Sequence, residues 1–392
     1  MPGAPDVRRE RNRDRVAAAL REAGAASRAE LARRTGLSRT TVASIVGELE
    51  RDGVLVEREQ QSGASLRGGR PPRLLSFSRS AGAALGIDFG KRHLRVAAAD
   101  LSHTVLAESE RMIPTDEPAE TGLQTAAELV DQVLGEAGVS RSEVIGVGLG
   151  LPGPIDFRSG RVGSSSILPG WVGVQAAEEL GARLDLPVRV DNDANLGALA
   201  ELNWGAAAGR REAAYLKVST GIGAGLILGG ELFHGANGMA GELGHTIIHE
   251  LGPVCRCGKR GCLETLAGAE ALVALLRPTH GPDLTTQGLL RAAAAGDSAA
   301  RRVLADAGRH IGTAVATLCD LLNPELIVVG GELSAAGDVL LDPMREQVYR
   351  HAIPATGREL QIVPGMLGPR AELLGALALV LATGDASGSR RA

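Results

Sequence analysis

The chain's 392 residues are 44% hydrophobic but only 2% aromatic, long enough for two or three domains whose cores are built from small aliphatic side chains. No run of 18 apolar residues occurs and the first 20 residues are rich in arginine; this excludes a membrane span and a secretory leader and predicts a soluble, cytoplasmic protein. The net charge of −4 is uneven: residues 1–79 carry 16 arginines, no lysine and 10 acids, a net of +6 against −10 for the remainder, so the front of the chain suits a polyanion.

Residues 11–22 place Val16, Ala19 and Leu20 on one face of a short helix. Ser27-Arg28-Ala29-Glu30 has the form of a capping box and predicts a second helix. Gly36 then supplies a turn, and Ser38 caps a third helix whose Val42, Ile45, Val46 and Leu49 face inward. The outer face of that helix offers Arg39, Thr40, Thr41 and Ser44 to base edges and phosphates. Val54-Leu55-Val56 and Leu74-Leu75-Ser76-Phe77 read as the strands of a wing. Arg67, Arg70 and Arg73, set among glycines and prolines, suit a narrow minor groove. Together these features predict a winged helix-turn-helix DNA-binding domain over 1–79; the alternative is a helical dimerisation domain with a flexible linker.

From residue 84 strands alternate with helices. Leu85 to Gly90 and Leu94 to Asp100 predict adjacent strands, followed by a helix at 124–135, strands at 144–149 and 188–191, and a helix from about Ala194. A second set comprises strands at 214–218, 224–228 and 326–329 with helices across 265–320. The last helix, 371–381, is expected to pack back on the first lobe. This order predicts two α/β lobes flanking a cleft, one spanning 80–195 and completed by 366–383, the other 196–365, with 384–392 as a disordered tail.

His245, Cys255, Cys257 and Cys262 form a His-x9-Cys-x-Cys-x4-Cys pattern in which Gly258 and Gly261 supply the turns. Three thiolates and an imidazole suit a closed, structural zinc site; the other reading is three incidental buried thiols. Asp191-Asn192-Asp193 stands where a strand ends and a helix begins, which brings an amide and a carboxylate either to the cleft or to the helix cap.

Seven segments in order carry a family resemblance: Asp88-Phe89-Gly90, Leu151 to Pro154, Asp191 to Asn195, Ser219 to Gly225, Gly241-Glu242-Leu243-Gly244-His245, the cysteine cluster running into Leu263-Glu264, and Asn323-Pro324-Glu325 leading to Gly330-Gly331. From about residue 11 to 382 the chain resembles the ROK family (repressors, open reading frames and sugar kinases), in particular its transcriptional regulators. The resemblance implies an actin-like, hexokinase-type ATPase fold behind the reader domain. It further implies that Asn192, Asp193, Glu242, His245 and Glu264, with Gly153 and Ser166, face a sugar. Asp193 matches the kinases' general base, and Asp88, Gly90, Thr220, Gly221, Gly223, Gly330 and Gly331 match their nucleotide site. The chain departs from the kinases at their first phosphate loop, Asp-x-Gly-Gly-Thr, which here reads Asp88-Phe89-Gly90-Lys91-Arg92.

The expected function is therefore a sugar-responsive transcriptional regulator, in the main a repressor, that binds a double-stranded operator as a homodimer or homotetramer and needs no membrane. The alternative is an ATP- and magnesium-dependent kinase of hexoses or N-acetylhexosamines with a fused DNA-binding domain. A third possibility is a regulator answering to a protein partner.

Overall fold

The computed structural model describes residues 4–23, 25–59, 73–78, 82–114, 117–156, 159–163, 168–357 and 359–381. Its first unit comprises α1 (Ala4–Ala23), α2 (Arg28–Thr35), α3 (Arg39–Arg51) and a hairpin of β1 (Leu55–Glu59) and β2 (Arg73–Phe77). α1 starts earlier than the sequence predicts, and Arg9 and Arg13 pair with Glu48 and Asp52 at the far end of α3. Ser27 Oγ accepts from the Glu30 amide at 3.2 Å and Ser38 Oγ from the Thr41 amide at 3.1 Å, as cap residues should. The capping box is only half built, because the Glu30 carboxylate turns to Arg34 instead. Val16, Leu20, Leu31, Val42, Ile45, Val46 and Leu49 interlock, and Leu55, Leu75 and Phe77 of the hairpin close the core from the side.

The remainder is built on two five-stranded sheets with the same internal plan. The first contains β3 (Ala83–Phe89), β4 (His93–Asp100), β5 (Val105–Met112), β6 (Val144–Leu151) and β7 (Val188–Asn192), in the order β5-β4-β3-β6-β7. The second contains β8 (Ala213–Val218), β9 (Ile222–Leu228), β10 (Glu231–Phe233), β11 (Leu326–Gly330) and β12 (Gln361–Pro364), in the order β10-β9-β8-β11-β12. In each, an antiparallel meander leads to two parallel strands reached by helical crossovers. The lobes are thus a duplication in topology. α4 (Ala119–Ala137) and α5 (Ala176–Leu184) pack on the first sheet, with Trp171 edge-on to Phe89 at 4.7 Å in its core. α7 (Leu263–Ala267), α8 (Ala269–His280), α9 (Thr286–Ala294), α10 (Ser298–Leu322), α11 (Asp338–His351) and α12 (Pro354–Gly357) belong with the second. The expected elements are present; β5, β10, β12, α5 and α11 are additions.

Two helices cross between the sheets: α6 (Asp193–Trp204), which leads out of β7, and the terminal α13 (Ala371–Leu381). α13 reads Ala-Glu-Leu-Leu-Gly-Ala-Leu-Ala-Leu-Val-Leu and beyond Glu372 is apolar on every side, because β3 and β6 cover one side and α6 another. Gly375 makes the crossing possible, since a Cβ there would lie 1.9 Å from the Leu196 carbonyl oxygen. The last helix therefore does return to the first sheet. Among the described residues no helix is long and apolar enough to cross a membrane.

Candidate functional site: a carboxylate-lined cleft beside a thiol cluster

The turn from β7 into α6 sets the floor of the cleft. Asn192 is the N-cap of α6: its Oδ1 accepts from the Ala194 amide at 2.8 Å, while its Nδ2 donates to the Gly153 carbonyl at 2.8 Å. The capping role that the sequence offered as an alternative is thus the one Asn192 fills, leaving one amide proton for a ligand. Asp193 Oδ2 lies 2.9 Å from Lys217 Nζ, a residue of β8 that sequence reasoning passed over. The same ammonium is 3.5 Å from Glu372 Oε1 on α13, which also accepts from the Tyr215 hydroxyl at 3.1 Å. Burial opposes the charge on Lys217, but Asp193, Glu372 and Asp88 outweigh it and hold the ammonium protonated well above the ordinary lysine range.

Against this floor stands the cysteine cluster. The ligand atoms of His245, Cys255, Cys257 and Cys262 all lie within 4.8 Å of one another, with Cys255 Sγ 3.4 Å from His245 Nδ1 and Cys257 Sγ 3.6 Å from Cys262 Sγ. A tetrahedral ion with metal–sulfur bonds of about 2.3 Å and metal–nitrogen bonds of about 2.0 Å needs ligand separations of this order, so the four fit a single metal ion. Gly258 and Gly261, at φ of 87° and 63°, turn the chain between the thiols.

The imidazole of His245 faces two ways. Its Nδ1 side meets Cys255 and, at 3.4 Å, Glu264 Oε1; its Nε2 is 3.8 Å from Glu242 Oε2. Glu264 is buried and paired with Arg256. Burial, then the nearby Asp193 and Glu264 carboxylates, push Glu242 up to about 7. Glu242 and Glu264 both stand within 4 Å of His245, which links them to the thiols. Ser166 lies outside the described residues.

The nucleotide side differs from an open cradle. Asp88 is buried at the end of β3, its Oδ2 3.0 Å from His93 Nε2. Lys91 and Arg92 reach across to Glu270 of α8, with Nζ at 2.5 Å and Nη2 at 4.0 Å, so these side chains tie one lobe to the other. The turn bearing Thr220 and Gly221 joins β8 to β9, and Gly223 lies inside β9, paired with Lys217. Gly331 has a structural reason of its own: at φ of 79° it runs so close to β8 that a Cβ would sit 2.6 Å from the Val218 carbonyl. Gly330 abuts Tyr215, and the Gly90 amide closes its turn on the His93 carbonyl at 2.9 Å.

On the reader domain Arg39, Thr40 and Ser44 of α3 are exposed and Thr41 is half-buried. Arg73 Nη1 donates to Glu57 Oε2 at 2.9 Å, anchoring the base of the wing. Arg67 and Arg70 lie outside the described residues, as does the tail 384–392.

Comparison with known proteins agrees with this organisation. The model of the ROK family matches residues 84–383, and that of a winged helix-turn-helix DNA-binding domain residues 16–56. The chain is 30% identical over 368 residues to the xylose repressor of Caldicellulosiruptor bescii, covering 91% of each chain. It is 37% identical over 311 residues to the glucokinase of Halalkalibacterium halodurans, which covers 74% of this chain and 92% of that one. The crystal structure of a ROK family transcriptional regulator described as a homolog of the E. coli MLC protein superposes with a TM-score of 0.78 at 26% identity, covering 96% of both chains. A reader domain of the DNA-binding type, two duplicated lobes and a His/Cys3 cluster beside the cleft thus meet in one chain, and that chain belongs to the ROK family.

Proposed function

We propose that this DNA-binding ROK regulator senses a sugar or sugar derivative in the cleft bounded by Asp193, Glu242, His245 and Glu264, with Asn192 and Gly153 at its edge. The observation that carries this reading is the two-sided His245: one ring nitrogen faces the thiol cluster and the other faces Glu242. We take the resident metal to be zinc, held by His245, Cys255, Cys257 and Cys262. Bound there, it acts as a structural ion that fixes the imidazole and, through it, the sugar-facing carboxylates. A sugar hydroxyl bridging Asp193 on α6 and Glu264 on α7 would favour a closed arrangement of the lobes, and the differential affinity for two arrangements is what alters operator binding.

The working division is a reader over 1–79, a first lobe over 80–195 completed by 366–383, and a second lobe over 196–365. Arg39, Thr40, Thr41 and Ser44 enter the major groove, with Arg67, Arg70 and Arg73 along the wing. A palindromic operator, a homodimer or homotetramer and a cytoplasmic setting follow from two-fold reading of duplex DNA. The test joins a thermal-shift screen of pentoses, hexoses and N-acetylhexosamines to operator binding by fluorescence anisotropy. One sugar class that saturably raises the melting temperature and shifts operator affinity supports the proposal; no carbohydrate effect on either would point to a protein partner. The kinase alternative is favoured by the intact Thr220 to Gly223 turn. Turnover of ATP with magnesium and a hexose, abolished by Asp193→Asn, would establish it.

A further inference from the structure

Lys217 is the single lysine in the apolar strand Ala213–Val218, where a hydrophobic side chain would ordinarily pack. Its ammonium meets Asp193 from the first turn of α6 and Glu372 from the first turn of α13, and the charge of Asp88, at the end of β3, adds to their hold on it. All three carboxylates are buried. Asp88 Oδ1 has no hydrogen-bond partner although it is shielded from solvent, an orphaned acceptor in a nest of negative charge. His93 and Arg95 approach Asp88 from the other side, through Oδ2, at 3.0 and 4.0 Å.

Carboxylates grouped around a phosphoryl acceptor serve a divalent cation that bridges them to phosphate oxygens. In this chain the positive charge among them belongs to a side chain. We propose that Lys217 is a tethered cation standing where a divalent metal would have to bind, so that Asp193 is held as a paired acceptor for a sugar hydroxyl and the cleft receives sugar without phosphorylating it. This rests on the reading of the cleft as a sugar receptor. Two physical consequences follow. The ammonium occupies Asp193 and Glu372 and offsets part of the negative charge there, and its own charge repels a second cation brought within a few ångströms. Because Lys217 also contacts Glu372, it fastens the strand β8 to both crossing helices.

The experiment uses the full chain and Mn2+, read by electron paramagnetic resonance of the free ion and by melting temperature. The unchanged protein is expected to bind no Mn2+ through Asp88 and Asp193. Lys217→Ala, with its uncompensated carboxylates, is expected to melt lower, to gain one Mn2+ site at least tenfold tighter than any in the unchanged chain, and to recover melting temperature as Mn2+ is added. Adding Asp88→Asn should remove that gain, and Lys217→Arg should exclude Mn2+ as lysine does. If Lys217→Ala does not fold, Lys217→Gln, which keeps the stem without the charge, replaces it. A folded, neutral variant that binds Mn2+ no better than the unchanged chain would overturn the proposal, as would Mn2+ binding in the unchanged chain that Asp193→Asn abolishes. Sugar binding by the unchanged chain is scored separately, so failure of the receptor reading leaves a different signature.

Discussion

His234 Nε2 lies 2.7 Å from Asp191 Oδ2, joining the residue after β10 in the second sheet to the end of strand β7 in the first. The bond to Asp191 holds the imidazole above its ordinary pKa, although partial burial works against it. A group whose folded pKa is raised contributes its stabilisation fully below the unfolded value, about 6.5, and loses it as pH climbs through the folded value. The tie between lobes should therefore weaken as pH rises above about 6.5. Melting temperatures of the unchanged chain and His234→Gln, measured from pH 5 to 9, should converge on the alkaline side; a constant offset would show that the imidazolium contributes nothing.

Removing one thiolate tests the metal reading. Cys257→Ser should lower the metal content from one ion per chain towards zero, cost more than about 2 kcal/mol of stability, and abolish sugar binding while the reader domain still binds DNA. Elemental analysis and calorimetric sugar titration check this together. Unchanged sugar affinity in a verified metal-free protein would separate the cluster from the cleft.

Glu264 makes a finer test, because it touches Cys255 and His245 without belonging to the four-ligand set. Glu264→Gln keeps the shape and removes the charge. Loss of such an outer partner ordinarily weakens metal binding about 10- to 100-fold. Competition with a chromophoric chelator measures that factor, and on the proposed reading of the cleft sugar affinity should fall further than metal affinity.

The reader domain and the thiol cluster were legible in the sequence because both are local: caps, apolar spacing and cysteine intervals all lie within one short stretch. The cleft floor was not. Lys217 stands alone on an apolar strand, and its partners Asp193 and Glu372 come from helices far away in the chain, so no spacing announces the trio. α13 was visible as an apolar helix, yet its apolarity on every side, which reports burial between a sheet and α6, conceals that Glu372 points at a charge. Asn192 shows a related limit, since the same Asn-Asp pair is as good a cap as a ligand and only the Ala194 and Gly153 contacts decide the first role. The short strands β10 and β12 went unread because three or four residues carry too little alternation, and α11 because Pro343 interrupts its pattern.

The helix crossing yields a prediction of its own. Gly375→Ala puts a methyl group where the Leu196 carbonyl stands 1.9 Å away, and a backbone atom cannot swing aside as a side chain can. Separating α13 from α6 should cost about 1–3 kcal/mol, the usual range for overpacking. Denaturant unfolding gives the number. Gly135, with nothing within 4 Å of a built Cβ and a place in the exposed part of α4, is the control, where alanine should be neutral or stabilising.

Arg39 is the first residue of α3, exposed and next to the Ser38 cap. If its guanidinium meets a phosphate, Arg39→Ala should weaken binding uniformly across sequences and reduce the slope of log affinity against log salt by about 1. If it meets a guanine edge, the loss should be about 1–3 kcal/mol and confined to operators with that base. Anisotropy titrations at several salt concentrations, on an operator and on shuffled DNA, distinguish the two, because only a phosphate contact moves the salt slope on both. An unaltered affinity on every DNA would remove Arg39 from the interface.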